Sequence, residues 1–363
     1  MYTRKNMNLL KDIATRLKCL IGVIALASCS IIDDDLSDCG AEAELSYELR
    51  LVTNMTTELQ TQLTTETDMR LAQDLRNHLS EIFTDFAHDV DLSFYDTQGD
   101  SLRLQHDQHI MNANQAFYTL YLPMRQYMHL AVANIQNNPL VSLVGDERCH
   151  QSTLLGEGYD TTATSTPDTI NSHTTGIFTA RQPMEVLEGV NQTFNVHLYM
   201  ANCAATLIID TVGSNIRDIR TYTTGFATAF NMADSTYSFS PTSPIVRAEE
   251  VRTDSPLDLM CFCSVNFPSP EVPLTRTIIE TTEPFISPSQ EDALWEFQVY
   301  ATTANGDITE SKLFVKTPLR AGQLKVVKAK VSNNGTLTTD NTTEVGVSVA
   351  LNWKPGGTYE PDF

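Results

Sequence analysis

The chain has 363 residues, 41% of them apolar and 19% charged, with 45 Asp+Glu against 24 Lys+Arg and a formal net charge of −21. So acidic a chain excludes nucleic acid and anionic lipid surfaces as electrostatic partners, because the phosphate contribution would be repulsive. The length exceeds what a single hydrophobic core usually holds, so two domains are expected.

The first 18 residues set Arg4, Lys5, Lys11, Arg16 and Lys18 against one acid, Asp12. The apolar run that follows, residues 19–27, is shorter than the roughly 20 residues a helix needs to cross a bilayer, and fits a signal-peptide core. It ends in Leu26-Ala27-Ser28-Cys29, an aliphatic residue, two small residues and a cysteine. This pattern predicts a lipoprotein signal over residues 1–28, cleavage after Ser28, and acyl chains on Cys29. More than one acyl chain is what stable membrane attachment requires. An ordinary secretory cleavage near Ser28, with Cys29 incidental, is the competing reading, and a retained anchor helix is another. Without residues 1–28 the chain carries 19 Lys+Arg against 44 Asp+Glu, a net charge of −25, so membrane contact is expected through the lipid alone.

Residues 29–42 read as an acidic stalk, Asp33-Asp34-Asp35 included, without the ligand spacing of an EF-hand. Glu44 to Asn54 alternates, with Leu45, Tyr47, Leu49 and Leu51 on one side, as a half-buried strand does. A helix follows, with Met69, Leu71, Leu75, Leu79, Ile82, Phe83 and Phe86 at helical intervals. From Val90 the period becomes two. Val90, Leu92 and Phe94 alternate with Asp91 and Ser93, and further strands are predicted over residues 117–122 and 127–133. Periodicity is lost over residues 136–176. A second β-rich series opens near Thr193, with hairpin turns at Asn305-Gly306 and Asn333-Asn334-Gly335. It closes on residues 345–353, where Val345, Val347, Val349, Leu351 and Trp353 are large and apolar and the intervening residues small or polar.

The expectation is a mainly β protein of two antiparallel β modules in series, with one amphipathic helix in the first. The domains are placed at 43–185 and 190–363. Five cysteines follow Cys29, an odd number, so at least one stays unpaired within the chain. Cys39 and Cys149, both in polar loop-like sequence, are the preferred disulfide. Cys261 and Cys263 would share one strand face and read as small buried residues in preference to a metal or redox pair.

Signatures of catalysis are lacking: there is no G-x-S-x-G, H-E-x-x-H, phosphate-binding loop or dinucleotide fingerprint. His106 and His109 form the sole compact ligand-like cluster, and they converge only if their segment turns. Neither an enzyme, a cofactor nor a metal site is expected.

The run Asp33 to Cys39 after Cys29, the alternating strand Leu45 to Val52, Val90 to Asp96 with its Gln98-Gly99-Asp100 turn, and His129 to Asn134 together resemble the fimbrial anchor lipoproteins of Bacteroidales (FimB-type, minor-fimbrium anchors). The resemblance implies two transthyretin-like β-sandwich domains, a lipid in the outer membrane, surface exposure, and a role in capping a fimbrium and holding it on the cell. Stalk subunits of such fimbriae lose a first strand by cleavage after an arginine. A chain lipidated at Cys29 could not do so without detaching, so Arg50 is expected to stay uncut. The strand Val345 to Trp353 is a candidate donor to the first stalk subunit. Two other readings compete: a surface glycan-binding lipoprotein using Tyr118, Tyr121, Trp295 and Tyr300, and a fimbrial tip adhesin.

Overall fold

The computed structural model describes residues 42–52, 66–82, 89–97, 103–111, 117–135, 141–144, 153–156, 169–188, 190–232, 235–239, 245–252, 259–274, 288, 292–339 and 345–353. The chain is mainly β. Four sheets stack around a single described helix, α1 (Glu66–Ile82), and the packing is that of β-sandwiches.

The first sheet has seven strands. In spatial order they are β3 (Arg103–Met111), β2 (Asp89–Asp96), β5 (Gln126–Ala133), β9 (Phe178–Glu185), β10 (Gln192–Met200), β1 (Glu42–Val52) and β4 (Phe117–Pro123). The expected first strand is therefore interior. It runs antiparallel to β4 from Glu42↔Pro123 to Glu48↔Phe117, and parallel to β10 from Leu45↔Gln192 to Val52↔Tyr199. Residues 192–200, expected to open the second series, instead complete this first sheet. Alternation alone cannot say which sheet a strand joins.

One face of this sheet packs on α1, whose Leu71, Leu75, Leu79 and Ile82 are buried with Leu45, Tyr47, Leu92, Phe94, Leu120 and Leu198. Every residue of β2 is buried, although Asp91 and Ser93 read as a solvent face. The reason lies on the other side of the sheet. There Tyr95, Leu130 and Val132 pack with Phe230 and Met232, and Phe230 belongs to a small four-stranded sheet. That sheet comprises β14 (Thr236–Ser238), β13 (Ala229–Asn231), β7 (Thr153–Gly156) and β6 (Val141–Val144). Its two members from the aperiodic 136–176 region are four residues long, too short to register as a period.

The five-stranded sheet, β16 (Glu249–Val251), β17 (Leu259–Asn266), β11 (Cys203–Asp210), β20 (Leu324–Val331) and β21 (Leu337–Thr339), is covered on both faces. In β11, Ala204 and Ile208 join the core that holds α1, while Cys203, Ala205, Leu207 and Ile209 join the core on the opposite face. In β17, Cys261, Cys263 and Val265 face α1 and Phe262 faces away. A sheet with two covered faces needs apolar or small residues at every position, and the near-continuous burial of β11 and β17 follows. Its far side packs against a six-stranded sheet of β22 (Val345–Trp353), β19 (Ile308–Val315), β18 (Trp295–Thr303), β12 (Ile216–Thr224), β15 (Ile245–Arg247) and β8 (Thr169–Asn171). The expectation of purely antiparallel sheets is modified at three pairs, β1/β10, β11/β20 and β15/β8, which are parallel.

Trp295 anchors the second core. Its ring lies between Phe226 (5.4 Å) and Phe297 (5.3 Å), and its indole N–H donates to the Thr317 carbonyl at 3.0 Å. Gly225 lies against it with φ of +99°, where an added Cβ would stand 2.6 Å from the Trp295 Cα and 2.7 Å from the Leu294 carbonyl oxygen. Both the backbone conformation and the contact exclude a side chain. Gly225→Ala is accordingly expected to cost at least about 3 kcal/mol, combining an unfavourable φ with overpacking. Comparing urea unfolding midpoints of the two chains checks this.

Candidate functional site

Of the residues singled out from sequence, Ser28, Cys29, Cys39, Cys149 and Asp33 to Asp35 lie outside the described residues. The candidate donor strand lies within them. As β22 it forms one end of the six-stranded sheet and pairs antiparallel with β19, with Val345, Val347 and Val349 opposite Val315, Leu313 and Ser311. A register shift between Thr309 and Glu310 places Leu351 between paired residues and Trp353 opposite Ile308. A bulge of this kind adds one residue to one strand, so the two-residue period seen over Val345 to Trp353 is interrupted in the backbone. The partner strand β19 has Thr309, Ser311, Leu313 and Val315 buried in alternation, and is thus built to be covered along one face.

His106 and His109 lie in β3, opposite Phe94 and Asp91, and the strand runs on through both without a turn. Among the described residues no group of three or more His, Cys, Asp or Glu side chains is placed to hold a metal ion. Cys203, Cys261 and Cys263 are buried free thiols. Burial raises all three thiol pKa values, that of Cys263 to about 12, so they remain protonated and inert at neutral pH. Cys263 also accepts a hydrogen bond from the Thr206 hydroxyl at 3.4 Å.

The aromatics considered for glycan stacking are dispersed. Trp295 is wholly buried in the second core, and Tyr300 stands edge-on to Tyr222 at 5.9 Å in the six-stranded sheet. Tyr118 and Tyr121 belong to β4 at the edge of the seven-stranded sheet, where Tyr121 is 54% exposed and Phe117 64% exposed. No single platform joins the four.

Two buried histidines were given no role from sequence, because nothing in their spacing marks them. The His129 ring stacks on Phe94 (4.3 Å between centroids), donates Nδ1–H to the Ser93 carbonyl at 3.0 Å, and accepts at Nε2 from the Tyr47 hydroxyl of β1. His173 accepts at Nδ1 from the Asn202 amide at 2.8 Å, and Asn202 in turn accepts the Ile177 N–H at 2.7 Å. The backbone N–H of His173 donates to the Val265 carbonyl, and the backbone carbonyl of Asn202 accepts from the Gly322 N–H. This network ties the β8–β9 segment to the five-stranded sheet.

No protein-family model matches the chain, and no curated protein matches it. Solved structures do. A fimbrial anchor protein of Porphyromonas gingivalis, Mfa2, aligns over 86% of this chain and 100% of its own, at 10% identity and a TM-score of 0.42. The tip fimbrial protein Mfa3 of the same organism, truncated at its C-terminus, aligns over 86% and 100% at 12% identity and a TM-score of 0.36. A candidate polysaccharide-binding protein of Bacteroides thetaiotaomicron aligns over 84% and 100% at 9% identity and a TM-score of 0.46.

Burial lowers the pKa of both His129 and His173 from 6.5 to about 4, so each is neutral in the folded chain. Between pH 6.5 and 4 the unfolded chain binds more protons than the folded one, and stability must fall as pH is lowered through that window. The expected loss is about 2 kcal/mol per histidine by pH 5. Urea titrations at pH 7.5 and pH 5 should show it, and the double variant H129Q/H173Q should lose most of that dependence.

Proposed function

We propose that this chain is an outer-membrane lipoprotein, exposed at the cell surface, that holds a fimbrium on the cell and caps its base. The observation that carries the reading is the pairing of two features at the N-terminus. Leu26-Ala27-Ser28-Cys29 has the form of a lipid-attachment signal, and the strand that starts 13 residues after Cys29 is an interior one. With β4 on one side, β10 on the other, and Leu45 and Tyr47 in the core, β1 cannot be removed without separating β4 from its sheet. A cut after Arg50 would do that. The chain is therefore suited to keep its first strand and remain tethered, as a base subunit must.

The opposite end of the sequence supplies the contact with the stalk in this reading. β22 is a terminal strand of its sheet and can be exchanged: by leaving β19 it would be donated to the first stalk subunit. The strongly acidic body leaves the lipid on Cys29 as the membrane contact. Neither the tip-adhesin reading nor the glycan-binding one is favoured by a particular observation, since the aromatics that prompted the second are dispersed.

Two experiments test this. Cys29→Ala should release fimbriae from cells into the medium while the chain remains folded, measured by fractionation, and retention at the wild-type level would refute the anchoring role. Deleting residues 344–363 should abolish co-purification of the stalk subunit. A truncated chain that folds and still retains fimbriae would show that β22 is not the donated strand.

A further inference from the structure

Where the chain crosses from the six-stranded to the five-stranded sheet, the described residues leave one side of the sandwich uncovered. β15 is three residues long and pairs with β12 only at Tyr222↔Arg247 and Thr223↔Val246. A single residue, Ala248, whose N–H donates to the Thr221 carbonyl at 2.9 Å, then carries the chain to β16 in the other sheet. Past Thr221, toward Ile216, β12 has no strand on that side among the described residues. The result is a cleft of about 230 Å³ lined by Ile219, Thr221, Ala248 and Phe262, with Arg220, Arg247 and Glu250 also on its wall.

Two polar groups there make no hydrogen bond. The Thr221 hydroxyl has no hydrogen bond, although the residue is only 2% exposed. Thr223, two positions along the same strand face, shows what is missing: its hydroxyl pairs with Ser264 of β17 at 2.9 Å. Two residues back on β17 stands Phe262, which can offer Thr221 nothing polar. Leaving a buried hydroxyl unsatisfied is unfavourable, and such a group calls for an explanation. The Arg220 Nε–H likewise makes no hydrogen bond, its nearest carboxylate oxygen, from Asp218, standing 3.9 Å away. Two arginines and one acid line this cleft in a chain of net charge −21.

We propose that this cleft binds the carboxyl-terminal residue of an extended peptide. The floor of Ile219, Ala248 and Phe262 takes an apolar terminal side chain, and the carboxylate is held by Arg220 and Arg247, whose guanidinium groups suit it geometrically. The Thr221 hydroxyl donates to a peptide oxygen. The preceding residues lie parallel to β12 in the lane that β15 vacates, hydrogen-bonding the open side of Ile216 to Arg220 by strand addition. A sugar fits less well, because its several hydroxyls would meet the apolar floor of Ile219, Ala248 and Phe262, while the two guanidinium groups on the wall favour an anion. This site is distinct from β22 and does not depend on the lipid at Cys29.

The test uses the full chain and the probe acetyl-Thr-Val-Thr-Leu with a free carboxylate, read by calorimetry. Saturable 1:1 binding is expected, with the C-terminal amide at least tenfold weaker. Thr221→Val and Arg247→Glu should each weaken the acid at least fivefold, and T221V should leave the urea midpoint unchanged or raised, because it removes an unpaired group. Equal binding of acid and amide would overturn the proposal. So would acetyl-leucine binding as tightly as the tetrapeptide, or a lowered unfolding midpoint in T221V, which would give the hydroxyl a partner within the fold.

Discussion

A sheet buried on both faces governs this structure. β11 and β17 carry one core toward α1, shared with residues of the seven-stranded sheet, and a second toward the six-stranded sheet, built from residues 203–337 alone. Such a sheet must meet its polar obligations internally. Thr206 bonds Cys263, Ser264 bonds Thr223, and the backbone N–H of Val265 bonds the Ser172 hydroxyl. The neutral His173 follows from the same enclosure: it sits where the β8–β9 segment meets this sheet, and burial is what lowers its pKa.

Sheet edges divide into two kinds. β16, β21, β8 and β14 end their sheets with strands of three residues each, too short to template another chain, and β6 has four. The remaining ends, β3, β4 and β22, have seven to nine residues. Long edges are where a further strand could be added, and β22 is the one the proposed function employs. The lane beside β12 is not a sheet edge: an interior strand there is unpaired along half of one side among the described residues.

The period-two and helical signals of the sequence were reliable wherever one face of an element meets solvent or one core. α1 carries Met69, Leu71, Leu75, Leu79 and Ile82 of the predicted stripe, while Phe83 and Phe86 lie outside the described residues, and the hairpin at Asn305-Gly306 turns where expected, with Gly306 at φ of +88°. The two-faced environment was not legible. Asp91 and Ser93 alternate as solvent residues do, yet they are buried, because what covers them comes from short strands distant in sequence. The change of sheet between Met200 and Cys203 was hidden for a related reason: β10 and β11 are both β-rich, and membership is set by partners far along the chain. Buried C-x-C thiols were legible from strand geometry. The cleft was not, since the orphaned Thr221 is defined by the absence of a polar residue opposite it.

The parallel pairing of β1 with β10 also bears on when the protein can fold. Leu45 meets Gln192, so the first described strand waits for a partner about 150 residues later, and β11 waits for β20 over about 120. Contacts at such separation form slowly, after the loop-closure entropy of the intervening chain has been overcome. During synthesis the first described strand thus stays unpaired on its β10 side until more than half of the polypeptide has been made. Topology alone delays completion of the seven-stranded sheet until β10, its last strand in sequence, is available.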